Sequence, residues 1–289
     1  MTDLARQVDE AQSLLATPAA DQARVFERAF ATCCRALAAA MSRLDPTSGA
    51  SAIDIAGGVA VFAGAGSPLT QALAVGLDRV VTAADLDRLE SHLCPGNGGA
   101  PQLEVCPFVD PSLAPLLAAR GYRVQEWQLA WTRAVPAGNL APRHPPDGAL
   151  HVRAARPGEE ELFLRTVMQG FLETDEVPEE ALALMRPSTS AEGHEMFLAF
   201  LGDEPVGGGA FASCGEVAFV NGSGVRPAFR RRGAQGALLR ARLDRARELG
   251  CTVAYSTTQP GTSSCRNMEN HGFRVAYPKL AMVGPLRGG

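Results

Sequence analysis

Apolar positions at helical spacing dominate the start of the chain. Val25, Phe26, Ala29, Phe30, Cys33, Leu37 and Met41 share one stripe, which predicts an amphipathic helix, and Pro18 separates it from a shorter helical stretch. From Ile53 to Ala65 the pattern turns apolar and glycine-rich, as in strands joined by tight turns. Thr82 to Asp85 has the spacing of a capping box, and Leu86, Leu89 and Leu93 continue it as a helix face that Pro95-Gly96 stops. Leu103 to Phe108 reads as a strand. Asp110-Pro111 opens a helix carrying Leu113, Leu116 and Leu117, and Gly121 ends it. Trp127, Leu129 and Trp131 then alternate through one or two strands between Tyr122 and Val135. The Pro-, Gly- and Ala-rich run Pro136 to Gly148 is the best domain boundary, dividing the chain into 1–140 and 149–289.

The second half restarts with a strand, Leu150 to Ala154, and a helix opened by Pro157 with Glu159, Glu160 and Glu161 in its first turn. Pro178 opens another helix, with Leu182 and Met185 on its face. Met196–Leu201, Val206–Ser213 and Glu216–Val225 read as strands. Ala234 to Leu249 reads as a helix with Leu239, Leu243 and Ala246 inward and Arg240, Arg242, Arg245 and Arg247 outward. A strand, Cys251–Ser256, a short helix, Thr262–Asn270, and two strands, Phe273–Tyr277 and Lys279–Val283, complete the pattern. Together the elements predict an α/β (α+β) protein with mixed, mostly antiparallel sheets flanked by helices.

Composition narrows the class. The 289 residues are 46% hydrophobic and 20% charged, enough apolar material for buried cores without metal or disulfide. The net charge of −4 excludes a global basic field for nucleic acid. The opening residues Met1 to Arg6 do not read as a secretory signal, and no apolar run is long enough for a membrane span. The 7 cysteines show no metal-ligand spacing, so reduced, packed thiols in a cytoplasmic protein are expected, with no metal site.

The chemistry concentrates in Gly224-Val-Arg-Pro-Ala-Phe-Arg-Arg-Arg-Gly-Ala-Gln-Gly-Ala-Leu-Leu239. A strand ends, Pro227 turns the chain, and a basic loop enters a helix. A first helical turn offers amide N–H groups without internal partners and a dipole that favours negative charge. Gly233 lets backbone approach a phosphate, Arg230, Arg231 and Arg232 supply charge, and Gly236 and Ala237 keep the first turn slim. This is a diphosphate cradle. It lacks both the Gly-Lys-Ser/Thr ending of a P-loop and the Gly-x-Gly-x-x-Gly of a dinucleotide fold.

The same stretch resembles motif A of GNAT acetyltransferases, Arg/Gln-x-x-Gly-x-Gly/Ala, with Arg230 and Gly233 matching and Gln235 where Gly or Ala is usual. Gly272-Phe273 after the following helix also fits that family, and the resemblance spans roughly 150–285. It implies an acetyl-CoA-dependent N-acetyltransferase. Arg230, Arg231, Arg232, Gly233, Ala234, Gln235, Gly236 and Ala237 would hold the diphosphate, main-chain groups of Gly224 and Val225 would pair with the pantetheine arm, and Asn267 would adjoin the cofactor. The strands bearing Val225 and Val253 would splay around the thioester, and an amine would attack it directly. The acceptor would be a small-molecule amine or a protein amino group. The family's usual tyrosine, four residues before Gly-Phe, is here Met268, so Tyr255 and Ser264 stand as alternative catalytic groups, with Glu216, Glu195 or water as base; Tyr255 reads equally as an ordinary half-buried aromatic. Cys265 reads as an inert thiol, and His194 and His271 as non-catalytic. Acids from Glu173 to Glu180 form either an acceptor rim or an ordinary solvated helix start. Gly207-Gly208-Gly209 lies within a strand and marks close backbone or ligand approach.

The N-terminal half repeats the closing order of helix, glycine and strands at Asp110–Tyr122, and so looks like a degenerate GNAT copy without the cradle. Its Gly64-Ala-Gly66 lacks basic residues and reads as a turn. Such a half could wall the acceptor pocket or form a homodimer. The competing reading is a non-catalytic acyl-CoA-binding or sensor protein, motivated by Met268.

Overall fold

A computed structural model describes residues 14–64, 67–135 and 150–286. The chain start, the Ala65-Gly66 part of the glycine-rich turn and the Pro136–Gly148 boundary lie outside the described residues. By contacts the chain divides into two compact units, neither of them continuous. One is built from Thr132–Ser256 and Arg266–Arg274, the other from Thr17–Trp131, Thr257–Cys265 and Val275–Gly289.

The unit that begins at Thr17 contains α1 (Ala19–Leu44), β1 (Ser51–Ile55), β2 (Gly58–Phe62), β3 (Gln71–Leu73), α2 (Ala83–Leu93), β4 (Gln102–Val105), α3 (Leu113–Ala119), most of β5 (Arg123–Ala134) and nearly all of β12 (Arg274–Val283). Its strand order is β1-β2-β3-β4-β12-β5; β1 with β2, β2 with β3 and β4 with β12 are antiparallel, and β3 with β4 is parallel. The expected stripe of α1 is its buried face, with Phe26, Ala29 and Cys33 enclosed. Ile55, Val75, Leu86, Leu89, Leu103, Leu113 and Leu117 form the main core, each Leu or Ile contributing roughly 1.5–3 kcal/mol by burial.

Two final strands are expected from the sequence, broken at Pro278; the structure instead carries β12 through as one. Its ladder with β4 starts at Leu280, beyond the residue that lacks an N–H, so proline interrupts no bond of that ladder. Tyr277 and Lys279 alternate inward. There the Lys279 ammonium meets Glu27 Oε1 and Oε2 at 3.1 and 3.0 Å and also pairs with Glu104, while the Tyr277 hydroxyl donates to Glu27 at 2.9 Å. All four side chains are buried.

The second unit holds β6 (Leu150–Ala154), α4 (Glu160–Leu172), α5 (Glu179–Met185), β7 (His194–Leu201), β8 (Glu204–Cys214), β9 (Val217–Phe219), β10 (Ser223–Val225), α6 (Ala234–Glu248) and the start of β11 (Val253–Thr258). α7 (Ser263–Asn270) follows β11. The order is β11-β9-β8-β7-β6, with β10 on β8, and only β9 with β11 is parallel. The Val135 N–H donates to the Thr252 carbonyl at 2.8 Å, so the end of the first half's last strand runs beside β11. Each unit's sheet thus takes in chain from the other half of the sequence: β12 lies between β4 and β5 in one, and the end of the first half's last strand lies beside β11 in the other. Phe163, Leu164, Val167, Leu182, Leu198 and Phe200 form a core between α4, α5 and the sheet.

The two halves of the sequence repeat one order: antiparallel strands, a helical crossover, a parallel strand, a short helix and a further strand. No helix among the described residues is long and apolar enough to cross a membrane.

Candidate functional site

The site starts with an interruption in a strand. The sequence predicts one strand over Glu216–Val225; the structure splits it. β9 pairs with β8 as Ala212↔Phe219 and Cys214↔Val217, whereas β10 pairs as Ser223↔Gly209 and Val225↔Gly207, one residue out of step. The extra residue is a bulge among Val220, Asn221 and Gly222. β11 keeps to β9, pairing Tyr255 with Phe219, and does not pair with β10. The Val220 N–H still donates to the Tyr255 carbonyl at 3.1 Å, so the strands part beyond Val220 and leave a slot whose β10 wall is backbone.

Glycines let the surrounding layers close on that wall. A Cβ on Gly224 would stand 2.3 Å from the Val167 carbonyl oxygen of α4, and one on Gly170 would stand 2.6 Å from the Val225 nitrogen. Within the run Gly207-Gly208-Gly209, Gly208 serves the same contact, since a Cβ there would strike Val167 Cγ2 at 2.6 Å. Of the close backbone or ligand approach expected for this run, the structure shows side chains of Val167 and Phe163 against Gly208 and of Arg242 against Gly209.

After β10 the chain turns through Pro227–Phe229 and enters α6 at Gly233, the N-cap, with φ 84° and no side-chain cap. That left-handed φ favours glycine. The first bond into the helix runs from Ala237 N–H to the Gly233 carbonyl at 3.0 Å, so the amides of Ala234, Gln235 and Gly236 have no acceptor inside it. Arg230 to Gly233 are exposed. The Arg232 guanidinium lies 5.8 Å from the Phe229 ring centroid. Arg230 is otherwise engaged: it donates to the Gly170 carbonyl at 2.9 Å, to the Val225 carbonyl at 3.2 Å and to Glu173 at 2.6 Å, tying the turn to the end of α4. Gly236 faces His271, whose Nε2 lies 2.8 Å from where a Cβ would stand.

The corresponding crossover helix of the other unit is closed. α2 begins at Thr82, whose hydroxyl accepts from Asp85 N–H at 3.2 Å while Asp85 accepts from Thr82 N–H at 2.9 Å. Arg79, hydrogen-bonded to Asp85, holds that carboxyl well below the usual carboxylate range, so a fixed negative charge sits at the helix mouth.

The predicted catalytic side chains are dispersed. Tyr255 is fully buried, edge-on to Phe219 with ring centroids 5.6 Å apart. Glu216 is exposed in the turn before β9, at the end of the strand remote from the bulge, and accepts from Thr252 Oγ1 at 2.8 Å. Ser264 is exposed in the first turn of α7 and belongs to the other compact unit. Glu195 is paired with Arg245 at 2.9 Å. Asn267 is half-buried, and its carbonyl lies 2.8 Å from His271 Nδ1. Met268 is buried. The acidic rim is largely neutralised: Glu173 pairs with Arg230, Asp175 with Arg226 at 3.8 Å, and Glu179 with Arg165 and Arg186.

Another expectation is overturned. Arg242 does not face outward with Arg240, Arg245 and Arg247; it is 1% exposed, and its guanidinium binds the carbonyls of Leu238, Ala210 and Asn221. Arginines stand at 240, 242, 245 and 247, spread around the helix, so the sequence gives no signal for which one turns in. Among the described residues no cluster of three His, Cys, Asp or Glu could hold a metal ion.

A parted strand pair beside an uncapped, basic helix mouth on a mixed sheet defines the class: this is the GNAT arrangement. Residues 162–273 match the family model described as the Acetyltransferase (GNAT) family, so the second half of the chain carries a GNAT domain. A GCN5-related N-acetyltransferase from Kribbella flavida is similar in structure, with TM-score 0.60, 18% identity, 88% of this chain and 96% of that one covered. A GCN5-related N-acetyltransferase from Sphaerobacter thermophilus aligns with TM-score 0.51 and 21% identity over 71% of this chain and 65% of that one. A structure described as a tandem GNAT protein from the clavulanic acid biosynthesis pathway aligns with TM-score 0.54 and 16% identity over 80% of this chain and 79% of that one. At these identities the likeness establishes the tandem GNAT fold. A comparison with curated proteins finds no match. Family and fold together support acyl transfer.

Proposed function

We propose that this protein transfers an acetyl group from acetyl-CoA to a primary amine, on a small molecule or a protein, by direct attack on the thioester. The observation that carries the reading is the mouth of α6: three amides without helical acceptors behind an exposed arginine turn, next to the slot between β10 and β11. The Ala234, Gln235 and Gly236 amides, with Arg231 and Arg232, suit a diphosphate. Arg230 fixes the turn through Gly170 and Glu173 rather than reaching outward. Gly224 and Val225 offer main-chain groups to a pantetheine arm, and bound acetyl-CoA would supply the activated acyl group. Glu216 stands too far along the strand to serve this slot as base, and Tyr255 would need its enclosure opened to act as acid. The Thr82–Asp85 box gives the first half no comparable anion site, so the reading assigns one cofactor per chain.

A second reading, an acyl-CoA sensor without turnover, is favoured by Met268, buried where the family's proton donor usually stands. Free thiol released from acetyl-CoA across an amine panel separates the two: binding without thiol release for any amine supports the sensor. Gly233→Asp places charge and bulk against the phosphates and is expected to abolish CoA binding in calorimetry. Unchanged affinity would refute the cradle.

A further inference from the structure

Arg242 is a buried cation that no carboxylate hydrogen-bonds among the described residues. Burial alone pulls its pKa down to about 9. A charge taken from water without a counter-ion costs several kcal/mol, and an apolar side chain would fill the same space without that cost. What the guanidinium does there is specific. Its Nη1 donates to the Ala210 carbonyl of β8 at 2.8 Å and to the Asn221 carbonyl in the bulge at 3.1 Å, while Nε donates to Leu238 at 3.1 Å. The sheet leaves room for it at Gly209, where a Cβ would stand 2.8 Å from Arg242 Cζ.

The two carbonyls explain the bulge. Opposed residues of an antiparallel ladder in a hydrogen-bonded pair exchange two N–H···O=C bonds. Ala210 and Gly222 keep one of them, Ala210 N–H to the Gly222 carbonyl at 3.1 Å. The return bond is absent: Arg242 occupies the Ala210 oxygen, Gly222 adopts φ 63°, and the Gly222 N–H has no acceptor among the described residues. The Asn221 oxygen bound by Arg242 and the Gly222 N–H belong to the same peptide. A cation on that oxygen draws electron density from the amide and makes its N–H a stronger donor. On the other side of Asn221, its Oδ1 accepts from Ser256 Oγ of β11 at 2.7 Å, bracing the bulge where the strands part.

We infer that Arg242 is a positioning residue for acyl transfer: it holds the bulge by taking the Ala210 and Asn221 carbonyls, and so releases and polarises the Gly222 N–H for the thioester carbonyl as negative charge develops on its oxygen. This rests on the acetyl-CoA reading above. Arg242 touches no substrate atom; Gly222 is the group that does.

The test uses the full chain with acetyl-CoA labelled with ¹³C at the thioester carbonyl. In the wild type the carbonyl stretch of the bound ligand should fall below its value in water. In Arg242→Met that shift should be lost while CoA still binds through the α6 mouth, and thiol release with any accepted amine should fall on the order of 10²-fold, as for loss of one oxyanion donor. Arg242→Lys, which keeps a cation, should recover part of the shift. A wild-type carbonyl frequency in Arg242→Met would overturn the inference. A second measurement needs no variant: the Gly222 amide resonance should move with acetyl-CoA and not with CoA, and equal movement with both, or none with either, would overturn the inference. If the wild type binds neither ligand in calorimetry, the acetyl-CoA reading itself fails, an outcome distinct from all of these.

Discussion

Lys279→Met gives a sharp test of how the first unit is held together. The wild-type ammonium is buried between Glu27 and Glu104 and lies 5.4 Å from the Phe30 ring centroid. Burial alone would discharge it, but the two carboxylates outweigh burial and hold it charged at any ordinary pH. Methionine nearly matches the volume and removes the charge, leaving two buried carboxyls facing each other without a cation. Breaking a buried pair from one side costs about 3–5 kcal/mol, against about 5–15 kcal/mol for a whole domain. The sign of the pH dependence follows from Glu104, whose pKa is raised, by burial first, with Lys279 pulling it back and Glu27 pushing it up. A carboxyl raised in the folded state contributes stability that is fully present below its unfolded pKa, about 4.3, and is lost as pH rises through the folded value. Without Lys279 the folded value rises further, so the penalty should be largest near pH 8 and shrink toward pH 5. Both tryptophans, Trp127 and Trp131, lie in this unit, so urea unfolding followed by their fluorescence reads it selectively. Glu27→Leu and Glu104→Leu added to Lys279→Met should recover most of the loss, because an apolar trio needs no counter-ion. A single variant within about 1 kcal/mol of wild type, or a penalty that does not change with pH, would refute the account.

Two further outcomes can be measured directly. Gly224→Ala sets a methyl against the Val167 carbonyl oxygen at 2.3 Å, backbone against backbone, and should cost near the top of the roughly 1–3 kcal/mol range for overpacking, read as a lower thermal midpoint for the second unit. The Arg153 guanidinium, 2.6 and 2.7 Å from Glu159, holds that carboxyl at about 2. Its contribution is therefore present above the unfolded value and lost as pH falls through about 2, and Glu159→Gln should flatten the acid limb of the stability profile.

Features coded by near neighbours in sequence were legible. The Thr82–Asp85 box, the stripe of α1 and the turn from Val225 into α6 each depend on residues within a few positions, and each stands where the pattern puts it. What escaped the sequence depends on partners far apart. Glu27 and Lys279 have no neighbour in sequence that marks them as a buried pair, because they meet across 252 positions. Arg242 reads as one more arginine on a solvated face, because the carbonyls it binds, Ala210 and Asn221, lie 32 and 21 positions away. The bulge is a one-residue slip in register, invisible to an apolar pattern that runs unbroken from Val217 to Val220. Met268 was legible as a missing tyrosine, but nothing nearby in sequence says what replaces it.

The two crossover helices show how one fold can make one site rather than two. Both follow a short strand, and both begin with amides that need acceptors. α2 satisfies them from within: the Thr82 hydroxyl takes one, and the Asp85 carboxylate, held ionised by Arg79, adds a negative charge that repels phosphate. α6 has glycine at the same place, no capping side chain, and exposed guanidinium groups in front of it. A capped mouth stabilises its own helix by about 1 kcal/mol; an open one forgoes that and keeps its donors for a ligand. The difference between the halves is thus a choice of acceptor for a few backbone amides. It follows that opening α2 by Thr82→Gly with Asp85→Ala would weaken the first unit without creating a cofactor site, because among the described residues that half has no run of exposed arginines before the helix and no parted strand pair to receive the rest of the molecule.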